Sequence, residues 1–431
     1  MSQMRYALTN MKLLNGHEDM VPQEGLAVLV QDGKFERILP AAKIPEEYEI
    51  KDLNGAYLLP GLINMHVHIP SSGKPTKGRT DYNKIAALLK YGIVRATVRK
   101  MCENYAKQEL LSGTTTIRAM GGVLDFDTNL RDSIEHDQKV GPRILAANYA
   151  VSVPGGHMTG SVALPAHSVK EAEQMVYDIA KTNPDHIKLM ITGGVLDAEV
   201  PGEPGVLKMP AEYVKAASDA AHRLGFHVAA HVESTRGMMV ALENGVDTIE
   251  HGGKPTPEVI QLFKEKRGAL INTLSPVMPF VFMDQKTTGL SNMDVLNAKA
   301  LFEWAVECVK ECLKEGIPVG LGTDTGCPYV THYDMWRELF YYVKFCGVTP
   351  AFALHTATLL NARIAKIDHI TGSIDEKKSA DFMVVKDNPL EDLTALRNPI
   401  MVALKGRIIT DPKPKRMKEV DDALDALQRK L

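Results

Sequence analysis

The chain has 431 residues, of which 45% are hydrophobic and 24% charged, and its formal net charge is −3. This composition is typical of a folded globular protein and excludes a disordered or fibrous chain. The near balance of 50 basic and 53 acidic residues argues against a nucleic-acid-binding protein, since such proteins carry a basic excess.

The cysteines and the N-terminus predict a protein of the reducing cytoplasm. Five cysteines are too few and too irregularly spaced for a disulfide framework in a chain of this length. The first residues lack the apolar run of a secretory signal. No stretch is long and apolar enough to predict a membrane-spanning helix.

Short strands are predicted at both ends of the chain. Apolar or alternating runs bounded by turn residues occur at 5–8, 26–30, 35–39, 56–59, 381–385 and 400–409. Asp32-Gly33 lies between two of these runs and predicts a two-residue hairpin turn. We expect residues 1–60 and 366–431 to form one small β-sandwich domain, with a short amphipathic helix at the very end.

Between these ends, short apolar runs alternate with helical segments. Eight such runs occur, at 61–69, 114–121, 142–151, 186–192, 225–233, 246–251, 269–275 and 317–323. Helical periodicity follows several of them, at 169–182, 211–224, 257–266 and 295–315. This alternation predicts an α/β protein with a parallel (β/α)8 TIM barrel over residues 61–365.

The polar residues of interest lie where these runs end, which is where barrel enzymes carry their active sites. His66 and His68 close the first run. Residues two apart in a strand face the same side, so the two imidazoles can chelate one metal ion. A His-X-His pair is by itself weak evidence, because many such pairs are ordinary core or surface residues.

Lys188 lies inside the otherwise apolar fourth run. A lysine buried in a strand is costly unless its charge is paired or removed. Carboxylation by CO2 is one solution, because the resulting carbamate is an anion whose two oxygens can bridge two metal ions. The alternative is a lysine that reaches the end of the strand or pairs with a carboxylate.

Three further runs end on potential ligands. The fifth carries His227, His231 and Glu233 on one face. His231 lies nearer the carboxyl end, and we expect His227, one layer deeper, to be a hydrogen-bonded core histidine. The sixth run ends at His251 and the eighth at Asp324. Histidines, one lysine and one aspartate are therefore predicted to converge on one rim of the barrel.

Taken in this order, the residues resemble the amidohydrolase superfamily. The likeness is greatest to its imidazolonepropionase-like metallo-dipeptidases and amidases, a group that includes Xaa-Pro and Xaa-Arg dipeptidases. It rests on His231, on Asp324, on the segment 372–393 and on the motifs PGLINMHVH (60–68), IKLMITGGV (187–195) and VDTIEHG (246–252). The resemblance covers nearly the whole chain.

The resemblance implies a centre of two divalent metal ions, with zinc well suited to the nitrogen and oxygen ligands. Carried over by position, the ligands are His66, His68 and Asp324 for the first ion, His231 and His251 for the second, and carboxylated Lys188 for both. A metal-bridging hydroxide would attack the carbonyl, with Asp324 as general base and then general acid. The implied enzyme is a homo-oligomer that cleaves the C–N bond of a dipeptide or N-acyl amino acid and binds neither nucleic acid nor membrane.

Three residues are expected to contact the substrate. His157 follows the third run in a Gly-Gly-His motif that matches the substrate side of these enzymes. Glu233 replaces the aromatic or histidine residue often found at its position in dipeptidases, and an acid there favours a cationic substrate group over a free carboxylate. His332 is a candidate for meeting an anionic end of the substrate.

Other functions stay open on the sequence alone. A cyclic amide, a carbamate or a xenobiotic amide is the alternative substrate. A mononuclear deaminase of the same superfamily lacks the lysine and carries a glutamate three residues after the fifth-strand histidine, where this chain has Ser234. A non-catalytic scaffold would have lost metal ligands, and none is missing here.

Overall fold

A computed structural model describes residues 5–75 and 87–431. These residues belong to two compact units. The first unit comprises Met1–Asn64, Lys107–Ile117 and Tyr333–Lys415, and the second comprises Met65–Ala106, Arg118–His332 and Arg416–Leu431. Among the helices in the described part of the chain, none is long and apolar enough to cross a membrane.

The strands follow one another along nearly the whole chain. In chain order they are β1 (Arg5–Thr9), β2 (Lys12–Leu13), β3 (Leu26–Gln31), β4 (Lys34–Pro40), β5 (Glu49–Asp52), β6 (Tyr57–Pro60), β7 (Leu62–Val67), β8 (Thr114–Ala119), β9 (Arg143–Leu145), β10 (Ala150–Ser152), β11 (Ala163–Pro165), β12 (His186–Met190), β13 (His227–Val232), β14 (Thr248–His251), β15 (Ala269–Asn272), β16 (Val319–Leu321), β17 (Phe382–Val385), β18 (Met401–Leu404) and β19 (Arg407–Thr410). Most of the strands predicted from the sequence are therefore confirmed, with ends that differ by a few residues.

The helices lie mainly between the parallel strands. They are α1 (Gly92–Leu111), α2 (Phe126–Glu135), α3 (Val169–Ala180), α4 (Ala211–Arg223), α5 (Thr235–Glu243), α6 (Pro257–Lys266), α7 (Met278–Phe282), α8 (Gln285–Thr288), α9 (Asn292–Lys314), α10 (Met335–Cys346), α11 (Pro350–His355), α12 (Asn361–Ile364) and α13 (Lys418–Gln428). Several begin where a hydroxyl side chain accepts a hydrogen bond from the first turn, as Ser168 does for α3 and Thr256 for α6. Such caps satisfy amide groups that the helix itself leaves unpaired.

Strands from both ends of the chain build the first unit. One sheet has the order β4-β3-β1-β5 and the other the order β19-β18-β17-β6-β2. The two sheets share one hydrophobic core, to which each contributes buried residues, among them Tyr6, Leu8, Val28, Val30, Leu58, Phe382 and Val384. Because successive side chains of a strand point to opposite faces, every second residue of these strands enters the shared core, as Tyr6 and Leu8 do in β1.

The predicted hairpin at Asp32-Gly33 is confirmed. β3 and β4 pair antiparallel, with Gln31 opposite Lys34. The two loop residues have φ values of 49° and 80°. Positive φ at both central residues is what a type I′ turn requires, and Asp-Gly supplies it at low cost.

The parallel strands form a seven-stranded sheet of order β11-β10-β12-β13-β14-β15-β16, and β7, β8 and β9 form a three-stranded sheet. Backbone hydrogen bonds connect these sheets, since the Asp324 amide donates to the His66 carbonyl at 2.9 Å and the His68 amide donates to the Thr325 carbonyl at 2.8 Å. This arrangement is consistent with a TIM-like barrel. The third predicted run divides into β9 and β10, which belong to different sheets, so closure into an eight-stranded barrel stays a prediction.

The terminal helix α13 packs within the second unit. Its buried residues Val420 and Leu424 share a hydrophobic cluster with Tyr329, and Met283 packs against the same cluster. The apolar stripe that predicted the helix therefore faces residues of the second unit. The domain boundaries near residues 60 and 365 stay predictions.

Candidate metal centre and active site

The candidate ligands lie near the carboxyl ends of parallel strands. His66 is the last residue but one of β7, Lys188 lies in β12, His231 is the last residue but one of β13, and His251 ends β14. Asp324 follows β16 by three residues. All five are buried, so their charges and lone pairs interact with one another rather than with water.

His66, His251 and Asp324 form the first donor group. Each offers one ligand atom, and the three atoms lie within 4.8 Å of one another. The Nε2 atoms of His66 and His68 lie 3.4 Å and 3.3 Å from the same oxygen, Asp324 Oδ1. Imidazole nitrogens around a carboxylate oxygen are a donor set that suits zinc and similar divalent ions.

A second donor group consists of His231, Glu233 and His251, again with one ligand atom from each within 4.8 Å of the others. The ring centroids of His231 and His251 are 4.7 Å apart. Glu233 Oε1 lies 3.9 Å from His231 Nε2. Because His251 belongs to both groups, the two groups adjoin, and the residues fit a pair of neighbouring metal ions.

Lys188 is the buried cation of this centre. Its Nζ atom is buried and has no hydrogen-bond partner, which is costly for an ammonium group. Burial lowers the pKa of Lys188 to about 8, although Glu250 and Asp324 act in the opposite direction. The neutral amine, which is the form that reacts with CO2, is therefore accessible near neutral pH. A carbamate at this place would add oxygen donors to the nitrogen and carboxylate donors around it.

The backbone at two of the candidate ligands has an unusual conformation. His251 and Asp324 have φ values of 71° and 58°, a region that residues other than glycine seldom adopt. Burial alone would raise the pKa of Asp324, but His66, His68 and His251 hold that pKa well below its usual range. Asp324 is therefore an ionised acceptor at neutral pH, and the Cys327 thiol donates a hydrogen bond to its Oδ2 atom at 3.3 Å.

A cavity of about 330 Å³ opens beside the donor groups. Its polar lining includes His157, Asp197, Glu233 and Cys327. The apolar lining comes from two clusters, one with Val123, Val162, Leu89, Val98 and Met158 and the other with Val195, Leu196, Val277, Phe280 and Leu301. A largely apolar cavity with a few polar groups is typical of a site for a small molecule.

Family comparison agrees with this geometry. Residues 57–409 match the Amidohydrolase family. The chain belongs to this family, and it is a hydrolytic enzyme.

Known relatives extend over almost the full length of this amidohydrolase. It is similar to the crystal structure of a candidate prolidase from Bifidobacterium longum, with 35% identity, a TM-score of 0.86, and coverage of 98% of this chain and 99% of that one. It is also similar to a Xaa-Pro dipeptidase structure with bound methionine, with 25% identity, a TM-score of 0.81, and coverage of 94% and 100%. Ochratoxinase of Aspergillus niger is 25% identical over 88% of this chain and 81% of its own length.

His157 lies in the pocket of the amidohydrolase, beside the second donor group. Its ring stacks on that of His231, with the centroids 4.0 Å apart. Its Nδ1 atom is hydrogen-bonded to the carboxylate of Asp197. Asp197 ends a short 3-10 turn, Val195–Asp197, and no periodicity or motif in the sequence marks it, so sequence reasoning missed it.

Glu233 is a buried acid on the pocket wall. The Val195 amide donates to its Oε2 atom at 3.0 Å. Burial, together with the negative charges of Asp324 and Asp197, raises the pKa of Glu233 well above its usual range. This shift favours the neutral carboxylic acid, a form that can donate a hydrogen bond as well as accept one.

Two histidines that the sequence singled out, His332 and His227, do not line the described pocket. His332 is buried with its Nε2 atom 2.7 Å from the carbonyl oxygen of Ser71, and it stacks on Tyr105. The prediction that His227 is a core histidine is wrong, because its side chain is 52% exposed and lies 3.7 Å from Asp247. His227 begins β13, so its side chain emerges at the amino end of the strand.

Proposed function

We propose that this amidohydrolase is a binuclear metal-dependent hydrolase that cleaves the C–N bond of a dipeptide or an N-acyl amino acid. The observation that carries the proposal is the buried, partnerless amine of Lys188. Its charge acts on His66 of the first donor group and on His231 and His251 of the second. A group in this position can serve both metal ions once it is a carbamate.

The proposed ligand set follows from the donor groups. We assign His66, His68 and Asp324 to one ion, His231 and His251 to the other, and carboxylated Lys188 to both. Zinc suits this set of nitrogen and oxygen donors. When bound, the ions would polarise the scissile carbonyl and lower the pKa of water at the centre.

Asp324 carries the proposed proton transfers. It is ionised at neutral pH and faces the donor group, so its carboxylate can take the proton of the attacking water. The same group, now protonated, delivers the proton to the leaving nitrogen, which departs as a neutral amine. The Cys327 thiol, bonded to the other carboxylate oxygen, fixes the orientation of Asp324 during both transfers.

The pocket supports a substrate with apolar groups on either side of the amide. Two apolar clusters flank the polar end of the cavity, and the relatives named above include a candidate prolidase and a Xaa-Pro dipeptidase. We assign substrate contacts to His157 and Glu233. Glu233 is an acid on the wall of this cavity, so its carboxylate would favour a cationic group of the substrate once metal ions are bound.

A xenobiotic amide is the second candidate substrate. The likeness to ochratoxinase over most of both chains favours it, and so does an apolar cavity large enough for an aromatic group. A panel of Xaa-Pro dipeptides, N-acyl amino acids and aromatic amides, assayed with the zinc-loaded enzyme, separates the two candidates by their kcat/KM values.

The metal content of the purified enzyme tests the proposal directly. Mass spectrometry should find two divalent ions per chain, and Lys188→Ala should lose both metal and activity, with partial recovery of activity on addition of propionate. One ion per chain would indicate a mononuclear enzyme, and none a scaffold. A Lys188→Ala enzyme with two ions and full kcat would overturn the carbamate assignment.

A further inference from the structure

A buried charged network lies behind His66 and takes no part in the chemistry above. Glu250 Oε2 is 2.9 Å from His66 Nδ1. Glu250 Oε1 accepts hydrogen bonds from Arg118 Nη2 at 2.7 Å and from the Thr248 hydroxyl at 2.8 Å. Arg118 also donates to the Met65 carbonyl at 2.9 Å. His66 and Glu250 are 1% and 0% exposed, so water does not compete for these bonds.

The direction of the bond to His66 follows from the partners of Glu250. An arginine side chain is always protonated and only donates, so it holds Glu250 as a carboxylate, which only accepts. His66 Nδ1 must therefore carry the proton, and His66 Nε2 keeps its lone pair. That lone pair is on the atom 3.4 Å from Asp324 Oδ1, which is the side of the ring where the first donor group lies.

His66 differs from the other candidate histidine ligands in the kind of group that fixes its ring. His68 Nδ1 lies 3.2 Å from the Gly121 carbonyl, His231 Nε2 lies 3.1 Å from the Gly193 carbonyl, and His251 Nδ1 lies 2.6 Å from the Thr273 hydroxyl. These partners are neutral oxygens. A carboxylate partner makes an imidazole a stronger electron donor to a metal than a neutral partner does.

We propose that Glu250, held by Arg118, is a positioning residue that sets the tautomer of His66 and strengthens metal binding at the site of His66, His68 and Asp324. The inference rests on the proposed metal centre. It adds that the two metal ions are held with unequal support, because, within residues 5–75 and 87–431, the candidate histidine ligand whose ring is fixed by a charged hydrogen-bond partner is His66, and the others have neutral ones.

Glu250→Gln is a sharp test, because glutamine has one accepting oxygen where glutamate uses two. The permanently donating Arg118 claims that oxygen, which turns the amide nitrogen towards His66 Nδ1. Two donors then face each other unless the His66 proton moves to Nε2, and that move removes the lone pair a metal needs. The variant keeps the side-chain volume, so the geometry of the strand is retained.

Zinc affinity measured by competition with a chromophoric chelator provides the readout. We expect Glu250→Gln to bind one of its two ions about 10- to 100-fold more weakly than the wild type, with the other affinity unchanged. Asp381→Asn is the matched control. Asp381 is equally buried in the first unit and accepts hydrogen bonds from Thr371 and Ser379, so its loss perturbs stability without touching a ligand. Wild-type affinity for both ions in Glu250→Gln would overturn the proposal.

A measurement on the metal-free wild-type enzyme keeps the proposal testable even if the variant folds poorly. Nitrogen-15 NMR of labelled histidine, assigned with His66→Gln, should show His66 protonated at Nδ1. Protonation at Nε2 instead would overturn the proposal. The metal count of the wild type tests the proposed function separately, since a mononuclear enzyme could still depend on Glu250 for the ion bound by His66.

Discussion

Glu250 and Glu233 lie beside the candidate histidine ligands and are both buried, yet their pKa values shift in opposite directions. Burial alone would raise the pKa of Glu250, but Arg118 and His66 hold it well below the usual range of a glutamate. Burial raises the pKa of Glu233 well above that range, and the nearby carboxylates Asp324 and Asp197 raise it further.

The difference comes from neighbours, since the exposed fractions are 0% for Glu250 and 7% for Glu233. Glu250 is ion-paired with Arg118 at 2.7 Å. Glu233 accepts a backbone hydrogen bond from Val195 and faces other acids. A fixed cation thus keeps the carboxyl group of Glu250 ionised, whereas the surroundings of Glu233 favour its neutral form. The enzyme therefore has an ionised glutamate, Glu250, behind the candidate ligand His66. It has a second glutamate with a raised pKa, Glu233, on the pocket wall.

The largest expected effect comes from substitution of Asp324, whose negative charge raises the pKa of Glu233. Asp324→Asn should lower kcat by about 10²- to 10⁴-fold, the range for loss of a positioned proton carrier. The amide keeps the volume of the side chain, so the protein should fold. Steady-state kinetics on the best substrate, with metal content measured in parallel, provide the check. A metal-loaded variant with near wild-type kcat would show that the proton travels by another route, with Glu233 of the pocket wall as the first carboxyl group to test.

Arg118→Met removes the cation paired with Glu250, which then becomes a buried carboxyl group without a paired cation, as Glu233 is. A buried carboxylate that loses its cation typically costs about 3–5 kcal/mol, so the free energy of unfolding of the metal-free protein should fall by that amount. Urea denaturation measures it. The double variant Arg118→Met/Glu250→Gln is the control and should recover part of the loss, because no charge is left unpaired. A single variant within 1 kcal/mol of the wild type contradicts the pairing argument.

Asp127 extends the comparison to a third buried carboxyl group. Burial raises the pKa of Asp127 to about 6 from an ordinary 3.8, although the Asn148 amide lowers it slightly. Because the folded state binds this proton more tightly than the unfolded state does, the contribution of Asp127 to the free energy of unfolding is greatest below pH 4. It decreases as the pH rises through 6. The full shift of about two pKa units corresponds to about 3 kcal/mol at 1.36 kcal/mol per unit. Between pH 4 and pH 7 the wild type should therefore lose about 2 kcal/mol of that relative to Asp127→Asn. Urea denaturation across this range tests it, and a flat difference contradicts it.

The smallest expected effect lies on the pocket side, next to Glu233. His157→Asn should raise KM about tenfold, equivalent to roughly 1.4 kcal/mol, because the ring held by Asp197 no longer meets the substrate. Metal content should stay near that of the wild type, since His157 is outside the assigned ligands. A loss of metal in this variant would instead make His157 a ligand.

Sequence patterns were sufficient to locate the candidate ligands. Their residue types are unusual for apolar strands, and strand ends are where barrel sites form, so the sequence alone marks His66, Lys188 and Asp324 as candidates. β12, predicted at 186–192, spans His186–Met190 in the structure. Period-two counting failed for His227 because it cannot tell a strand's first, exposed residue from an interior one.

The supporting residues were not predictable in the same way. Glu250 and Arg118 are 132 positions apart in the chain, and each alone looks like an ordinary residue of a strand. Their pairing depends on the spatial order of strands, which periodicity does not give. The burial that raises the pKa of Glu233 is likewise a property of three-dimensional packing. Sequence reasoning therefore identified the candidate metal ligands more readily than the residues that position them.

The packing of α13 against Tyr329 has a practical consequence for anyone who handles this enzyme. Tyr329 follows Cys327 and Pro328, which line the pocket, and it shares its cluster with Val420 and Leu424 of the terminal helix. Helix α13 thus packs against the segment of the pocket wall that follows Asp324 in the sequence. Removal of residues 418–431 should loosen that wall and lower turnover, although every candidate ligand is still present. Purification tags and truncations are therefore best kept away from this end.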